Sequence, residues 1–198
     1  MHAPAADLFG TPILPGLATA HDLVTRDEEA ALIARIDGEA LAPFRFQGWT
    51  GKRLTQSFGW RYDFETGGFG ETAPLPGWLL PVRARAAAFA GLAEDDLVQA
   101  LLIRYDPGAG IGWHRDRPVF EHVVGLSLGA PATLSLRRRR PEGGFDRAAL
   151  PLDPRGAYHL SGEARHDWEH SIAPGEETRW SVTFRSLAAR AISPRRPA

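Results

Sequence analysis

The chain of 198 residues has no cysteine, one methionine and a single lysine, Lys52. The missing cysteines exclude disulfides, thiolate zinc sites, iron–sulfur clusters and a catalytic thiol. Any bound metal must be held by nitrogen and oxygen. No apolar run reaches the roughly 18 residues of a membrane span, and Met1 to Pro15 lacks the charged and apolar regions of a signal peptide. The expectation is a soluble cytoplasmic protein with no membrane partner. Internal repeats and low-complexity tracts are also lacking, so one compact domain and a monomer are expected. A strong charge of one sign is absent too: the net charge is −1, which argues against a strong non-specific field for nucleic acid. The distribution is uneven, with 8 basic and 13 acidic residues over 1–103 and 15 and 11 over 104–198.

What is present divides near residue 97. Residues 1–25, with Pro4, Pro12, Pro15 and Gly16, read as an irregular lead-in. Thr25 and Glu28 form a capping-box pattern ahead of Leu32, Ile33 and Ile36, which predicts an amphipathic helix over 26–41. Residues 43–62 alternate aromatic with polar or basic side chains around Gly48, Gly51 and Gly59, the pattern of a β-hairpin or flap. A second helix is expected over 78–90. From 97 onward, eight short β-type runs with Pro-Gly and Gly-Ala punctuation predict a sandwich, jelly roll or barrel. The organisation expected is therefore 1–96 as helices and flap packed on a 97–198 β core, with 190–198 a frayed tail.

Two clusters carry chemistry. In Gly112-Trp113-His114-Arg115-Asp116, strand geometry puts His114 and Asp116 on one face, an imidazole and a carboxylate aimed at one point. A surface ion pair or a turn would account for that pair alone equally well. A third ligand from a distant strand would complete a two-His-one-carboxylate triad, which leaves coordination positions open for a chelating co-substrate and oxygen. His170 is the best placed, with His166 its competitor four residues earlier.

The second cluster is Arg179-Trp180-Ser181-Val182-Thr183-Phe184-Arg185. With period two, Trp180, Val182 and Phe184 share an apolar face suited to packing under helices. Arg179, Ser181, Thr183 and Arg185 then line an interior, where unpaired guanidinium groups are too costly to persist. Iron(II) with two neutral imidazoles and one carboxylate has net charge +1, and a 2-oxoglutarate dianion would make it −1; the arginines supply the balance. The alternative is that they pair with protein carboxylates such as Asp116 or lie on a solvated face.

Tyr105-Asp106-Pro107-Gly108, His114-x-Asp116, Ser127-Leu128-Gly129, His170 and Arg179-x-x-x-Thr183-Phe184-Arg185, in this order, resemble the AlkB-type iron(II)/2-oxoglutarate dioxygenases over about residues 97–187. Phe58-Gly59-Trp60-x-Tyr62 and Asp7-Leu8-Phe9 extend the similarity more weakly. The resemblance implies a mainly β fold with flanking helices, a double-stranded β-helix of jelly-roll type. It implies that His114, Asp116 and His170 ligate Fe(II), that Arg179 with help from Tyr105 grips the distal carboxylate of 2-oxoglutarate, and that Arg185 sits near the chelating end. O2 would be the second co-substrate, and the activity oxidative demethylation of N-alkylated nucleobases with release of formaldehyde, as in alkylation repair. The chain departs from the family pattern at Ile103 and Ser181, both commonly asparagine there, and at Pro118, where some repair members carry an acid.

A nucleobase must be unstacked before its methyl group can be reached, which calls for an aromatic platform and phosphate contacts. Trp49, Phe58, Trp60 and Tyr62 supply candidates for the first, Lys52, Arg53 and Arg61 for the second. An ordinary half-buried hairpin with Phe58 and Trp60 in the core is the competing reading. Arg137 to Arg140 is the longest basic run, suited to a solvated face or to a phosphate backbone. Single-stranded or locally unpaired alkylated nucleic acid is thus the expected partner. The alternatives are an oxygenase of a small molecule or protein side chain on the same core, and a non-catalytic nucleic-acid-binding module; the joint presence of triad and arginines counts against the latter.

Overall fold

The computed structural model describes residues 14–46, 48–62 and 67–189. The Asp7-Leu8-Phe9 segment, the expected tail and the side chain of Trp49 lie outside them. The β-type runs of the C-terminal half form eight strands: β6 (Leu97–Tyr105), β7 (Ile111–His114), β8 (Phe120–Gly129), β9 (Ala132–Arg139), β10 (Phe145–Leu152), β11 (Ala157–Leu160), β12 (Glu169–Ile172) and β13 (Arg179–Leu187). Before them come β1 (Leu17–Ala20), β2 (Ala42–Phe46), β3 (Trp49–Phe58), β4 (Trp60–Tyr62) and β5 (Phe69–Glu71). A seven-stranded sheet runs β1-β11-β8-β13-β6-β3-β2, a four-stranded sheet β10-β9-β12-β7, and β4 and β5 pair as a ribbon. Neighbouring strands are antiparallel throughout, in the jelly-roll arrangement that the sequence leads one to expect.

The period-two pattern of β13 decides how the layers pack. Val182 and Phe184 are buried with Ala100, Leu102, Val124 and Leu126 of the neighbouring strands, under Leu32, Ile36, Val82 and Ala86. The last four come from α1 (Arg26–Asp37) and α2 (Leu80–Ala90). Each such burial of a Val, Leu or Phe side chain contributes about 1.5–3 kcal/mol, as an upper estimate. A second apolar cluster, including Val123, Leu134, Leu136, Leu150 and Leu160, fills one end of the space between the sheets. The polar face of β13 lines the other end.

Two expectations need correction. The first helix stops at Asp37 rather than 41: Gly38 caps it, its N–H meeting the carbonyls of Ala34 and Arg35, and the chain turns into β2. Its start is as expected, with Thr25 and Glu28 bonding reciprocally to each other's backbone N–H. The lead-in is not wholly irregular, because Leu17–Ala20 pairs with Leu160–Ala157 at the sheet edge. Only β11, some 140 residues on, gives that short segment its strand geometry.

The 43–62 hairpin joins the large sheet through Leu54–Phe58 alone, against Arg104–Ala100 of β6. Gly59 ends β3 with φ +77°, and a Cβ there would lie 1.9 Å from the carbonyl oxygen of Val98. The bend that redirects the chain into β4 therefore requires glycine. No helix among the described residues is long and apolar enough to cross a membrane.

Candidate active site

β7 and β12 are neighbours, and their register sets His114 directly opposite His170. The ring centroids are 4.2 Å apart. Asp116 follows β7 by two residues, and one potential ligand atom from each of His114, Asp116 and His170 lies within 4.8 Å of the others. His114 donates from Nδ1 to the carbonyl of Gly112 at 2.9 Å. That bond fixes the tautomer and leaves Nε2 with its lone pair, the usual preparation of a ligating imidazole.

Electrostatics prepare the same three groups. Burial, and then the neighbouring His114, push His170 down to about 3, and burial likewise lowers His114. Both rings are neutral, as ligands must be. Burial alone would raise the Asp116 carboxyl, but the Arg185 guanidinium beside it holds it well below the usual carboxylate range. Its Oδ1 accepts from Arg185 at 3.1 Å, while Oδ2 is buried without a partner. Two neutral imidazoles and an ionised carboxylate with an unused oxygen are a donor set that fits iron(II).

β13 contributes the cationic wall. Arg179 opens the strand opposite Tyr105 of β6, with its guanidinium 5.2 Å from the Tyr105 ring centre and one amino group donating to Ser127 Oγ at 3.1 Å. Its Nε and other amino nitrogen are buried with no partner. Buried donors of this kind call for an acceptor, and a carboxylate placed against them would take both. Ser181 and Thr183, also buried, continue the same face. Arg185 holds Gln99 Oε1 at 2.9 Å as well as Asp116, so the alternative of pairing with a protein carboxylate describes this arginine.

These groups line one cavity of about 1110 Å³, above the roughly 300–1,000 Å³ of a single small-ligand pocket. Among the residues read as substrate contacts, Arg61 and Tyr62 line it, and the Arg117 guanidinium sits 4.5 Å over the Tyr62 ring. Arg53 lines it too, but it is 7 % exposed and stacked 3.8 Å over Phe44. An outer phosphate contact is therefore the wrong reading of Arg53. Phe58 is corrected as well, since it stands opposite Ala100 and packs in the helix-side core. Trp60 stacks on Phe69 at 4.9 Å and does not line the cavity.

Other histidines lie apart from the triad. His166 is on the rim, bonded to Glu121 at 2.8 Å, and His122 and His159 bond to each other at 3.0 Å. Sequence reasoning missed Arg165, which is 3 % exposed and donates to the carbonyls of Arg117 and Phe120, both at 2.7 Å. It clamps the turn that follows Asp116. An arginine alone in Gly162-Glu163-Ala164-Arg165 gives no local sign of this, because both acceptors lie more than 40 residues earlier.

Comparison with known proteins agrees with this geometry. The family model described as the 2OG-Fe(II) oxygenase superfamily matches residues 16–190. The human alpha-ketoglutarate-dependent dioxygenase alkB homolog 4 is 30 % identical over 213 residues, covering 88 % of this chain and 68 % of that protein. The alkbh8 tRNA (carboxymethyluridine(34)-5-O)-methyltransferase of Xenopus tropicalis is 29 % identical over 85 % of this chain, and the Alkylated DNA repair protein ALKBH8 homolog of Arabidopsis thaliana is 29 % identical over 80 %. The chain spans only 27 % and 51 % of those two proteins. The solved structure of OsALKBH1 superposes with a TM-score of 0.68 at 14 % identity, over 87 % of this chain and 97 % of that one, a likeness of fold. The chain belongs to the 2OG-Fe(II) oxygenase superfamily, as a dioxygenase of AlkB type that takes iron(II), 2-oxoglutarate and O2.

Proposed function

We propose that this dioxygenase removes N-linked methyl groups from nucleobases of single-stranded or locally unpaired DNA or RNA. The observation that carries the reading is the cavity: it holds the His114–Asp116–His170 set and the unpartnered donors of Arg179, with room left for a second ligand. In this reading His114, Asp116 and His170 hold iron(II), which when bound supplies the capacity to activate O2. Arg179 receives the distal carboxylate of 2-oxoglutarate, with the Tyr105 ring at its side and Ser127 fixing its orientation. Arg185 keeps one Asp116 oxygen in place while the other remains free for metal. One oxygen atom of O2 enters 2-oxoglutarate, which leaves as succinate and CO2; the other enters a methyl C–H bond, and the hydroxymethyl product releases formaldehyde. Arg61, Tyr62 and Arg117 line the cavity, which supports reading them as the groups that an unstacked base would meet.

A small molecule or a protein side chain is the second reading. It is favoured by Pro118, which lines the cavity with no polar side chain to offer a base. A panel of methylated single- and double-stranded DNA and RNA oligonucleotides separates the two. The first reading expects stimulated succinate formation with stoichiometric formaldehyde from at least one of them. A panel that neither stimulates turnover nor loses methyl groups overturns it.

A further inference from the structure

We propose that the outer face of the small sheet is a docking surface for the single-stranded nucleic acid that flanks the base in the cavity; this rests on the nucleobase reading above. The register places its residues. On β9 and β10, Arg137 stands opposite Arg147 and Arg139 opposite Phe145, and on β12 Glu169 stands opposite Arg137. Leu134, Leu136 and His170, one residue out of phase, point inward to the apolar cluster and the triad. By the same alternation Trp113 of β7 faces away from His114, and its ring lies against Arg137. The face thus collects three arginines against one glutamate, on a protein whose net charge is −1.

Partnering within the face is uneven. Arg137 bonds Glu169 at 2.7 Å, with its guanidinium 4.3 Å from the Trp113 ring centre and 4.6 Å from that of Phe145. It stacks between the rings and holds them in place. Arg139 and Arg147 are exposed, and among the described residues neither has a carboxylate within 4.0 Å. The rest of the Arg137–Arg140 run differs: Arg138 pairs with Glu163 and Asp146, and Arg140 with Asp146.

Arg139 and Arg147, without a carboxylate partner and the latter 5.8 Å from the Phe145 ring centre, beside the rings of Trp113 and Phe145 suit a single strand, whose phosphates take the charge and whose bases stack on rings. The face also reaches the cavity, since Trp113 lines its rim. A strand leaving the cavity past Trp113 would cross β12 and β9 toward Arg139 and Arg147. On the large sheet, α1 and α2 cover the outer side of the central strands β6, β8 and β13.

The test uses the full chain and fluorescence anisotropy with a labelled 12-nucleotide single strand over a range of salt concentrations. Arg139→Glu/Arg147→Glu should bind about ten-fold more weakly, with a salt slope smaller by about 0.7 for each phosphate that is no longer neutralised. Arg139→Lys/Arg147→Lys should bind as the native protein does. Arg26→Glu/Arg35→Glu, the same charge change on exposed positions of α1, should alter binding little, and circular dichroism reports folding for each variant. The proposal is overturned if the β9/β10 reversal binds like the native protein, if the α1 reversal weakens binding equally, or if polyglutamate of equal charge displaces the strand as well as unlabelled oligonucleotide does. Where the native protein still demethylates an oligonucleotide in those cases, the functional reading survives. A native protein that neither binds nor demethylates any oligonucleotide overturns both.

Discussion

Arg185 and Asp116 form a buried ion pair at 3.1 Å, with side chains 9 % and 10 % exposed. Removing the arginine leaves an uncompensated carboxylate inside the protein, which costs about 3–5 kcal/mol. Arg185→Met should therefore lower the free energy of urea unfolding of the metal-free protein by an amount of that order, seen as a lower midpoint at unchanged slope. Arg185→Met/Asp116→Asn, which removes the charge as well, should recover part of the loss. An Arg185→Met midpoint equal to that of the native protein would show that the pair contributes nothing to the fold.

Arg179 is expected to act on the co-substrate and little on the fold, because two of its donors are unpartnered. One hydrogen bond to a charged group is worth about 1.5–3 kcal/mol, or roughly a 10- to 100-fold change in affinity. Arg179→Met should weaken 2-oxoglutarate binding by about that factor in an anaerobic titration with iron(II) present. Iron(II) affinity measured without 2-oxoglutarate should barely change. An unchanged 2-oxoglutarate affinity contradicts the assignment.

Glu28 joins α1 to α2, bonding Arg85 at 2.9 and 3.0 Å and closing the capping box with Thr25. The Arg85 side chain and the Thr25 backbone hold its carboxyl down at about 2 from an ordinary 4.5. A depressed pKa means stability that is fully present above 4.5 and is lost as pH falls toward 2. The thermal midpoint of the native protein should exceed that of Glu28→Gln at pH 7, and the gap should narrow steadily from pH 4.5 to 2.5. A gap that is constant across this range counts against the pair.

The sequence was most legible where one strand carries two chemically opposite faces. In β13, period two separated Val182 and Phe184 from Arg179 and Arg185 without any tertiary information. In the flap the same rule was insufficient, because both faces carry aromatic side chains. Only pairing with β6 decides that Phe58 belongs with Ala100 in the core. Arg53 shows a different limit: its charge suggests the surface, while the fold buries it over Phe44 in the cavity wall. The short β1 was illegible because its geometry is supplied by a partner far along the chain.

Arg165 was invisible for the same reason, and its contribution can be measured. Its two bonds to the carbonyls of Arg117 and Phe120 are made in a largely buried setting. Leaving such acceptors unsatisfied costs about 1–3 kcal/mol each. Arg165→Met should lower the thermal midpoint and weaken iron(II) binding through the loosened turn beside Asp116, whereas Arg165→Lys, which retains the donor charge, should recover part of both. Equal behaviour of the two variants would argue against carbonyl clamping.

β7 is four residues long, pairs only with β12 and forms one edge of the small sheet. One of the three candidate ligands therefore sits at the end of this edge strand, a second two residues beyond it, and the third on its neighbour. An ion bound by His114 and His170 would cross-link that edge to the sheet interior, so occupancy of the site and local opening of β7 compete for the same residues. Amide exchange at Ile111–His114 would slow on metal loading far more than exchange within β13, making the edge strand a gauge of how full the site is.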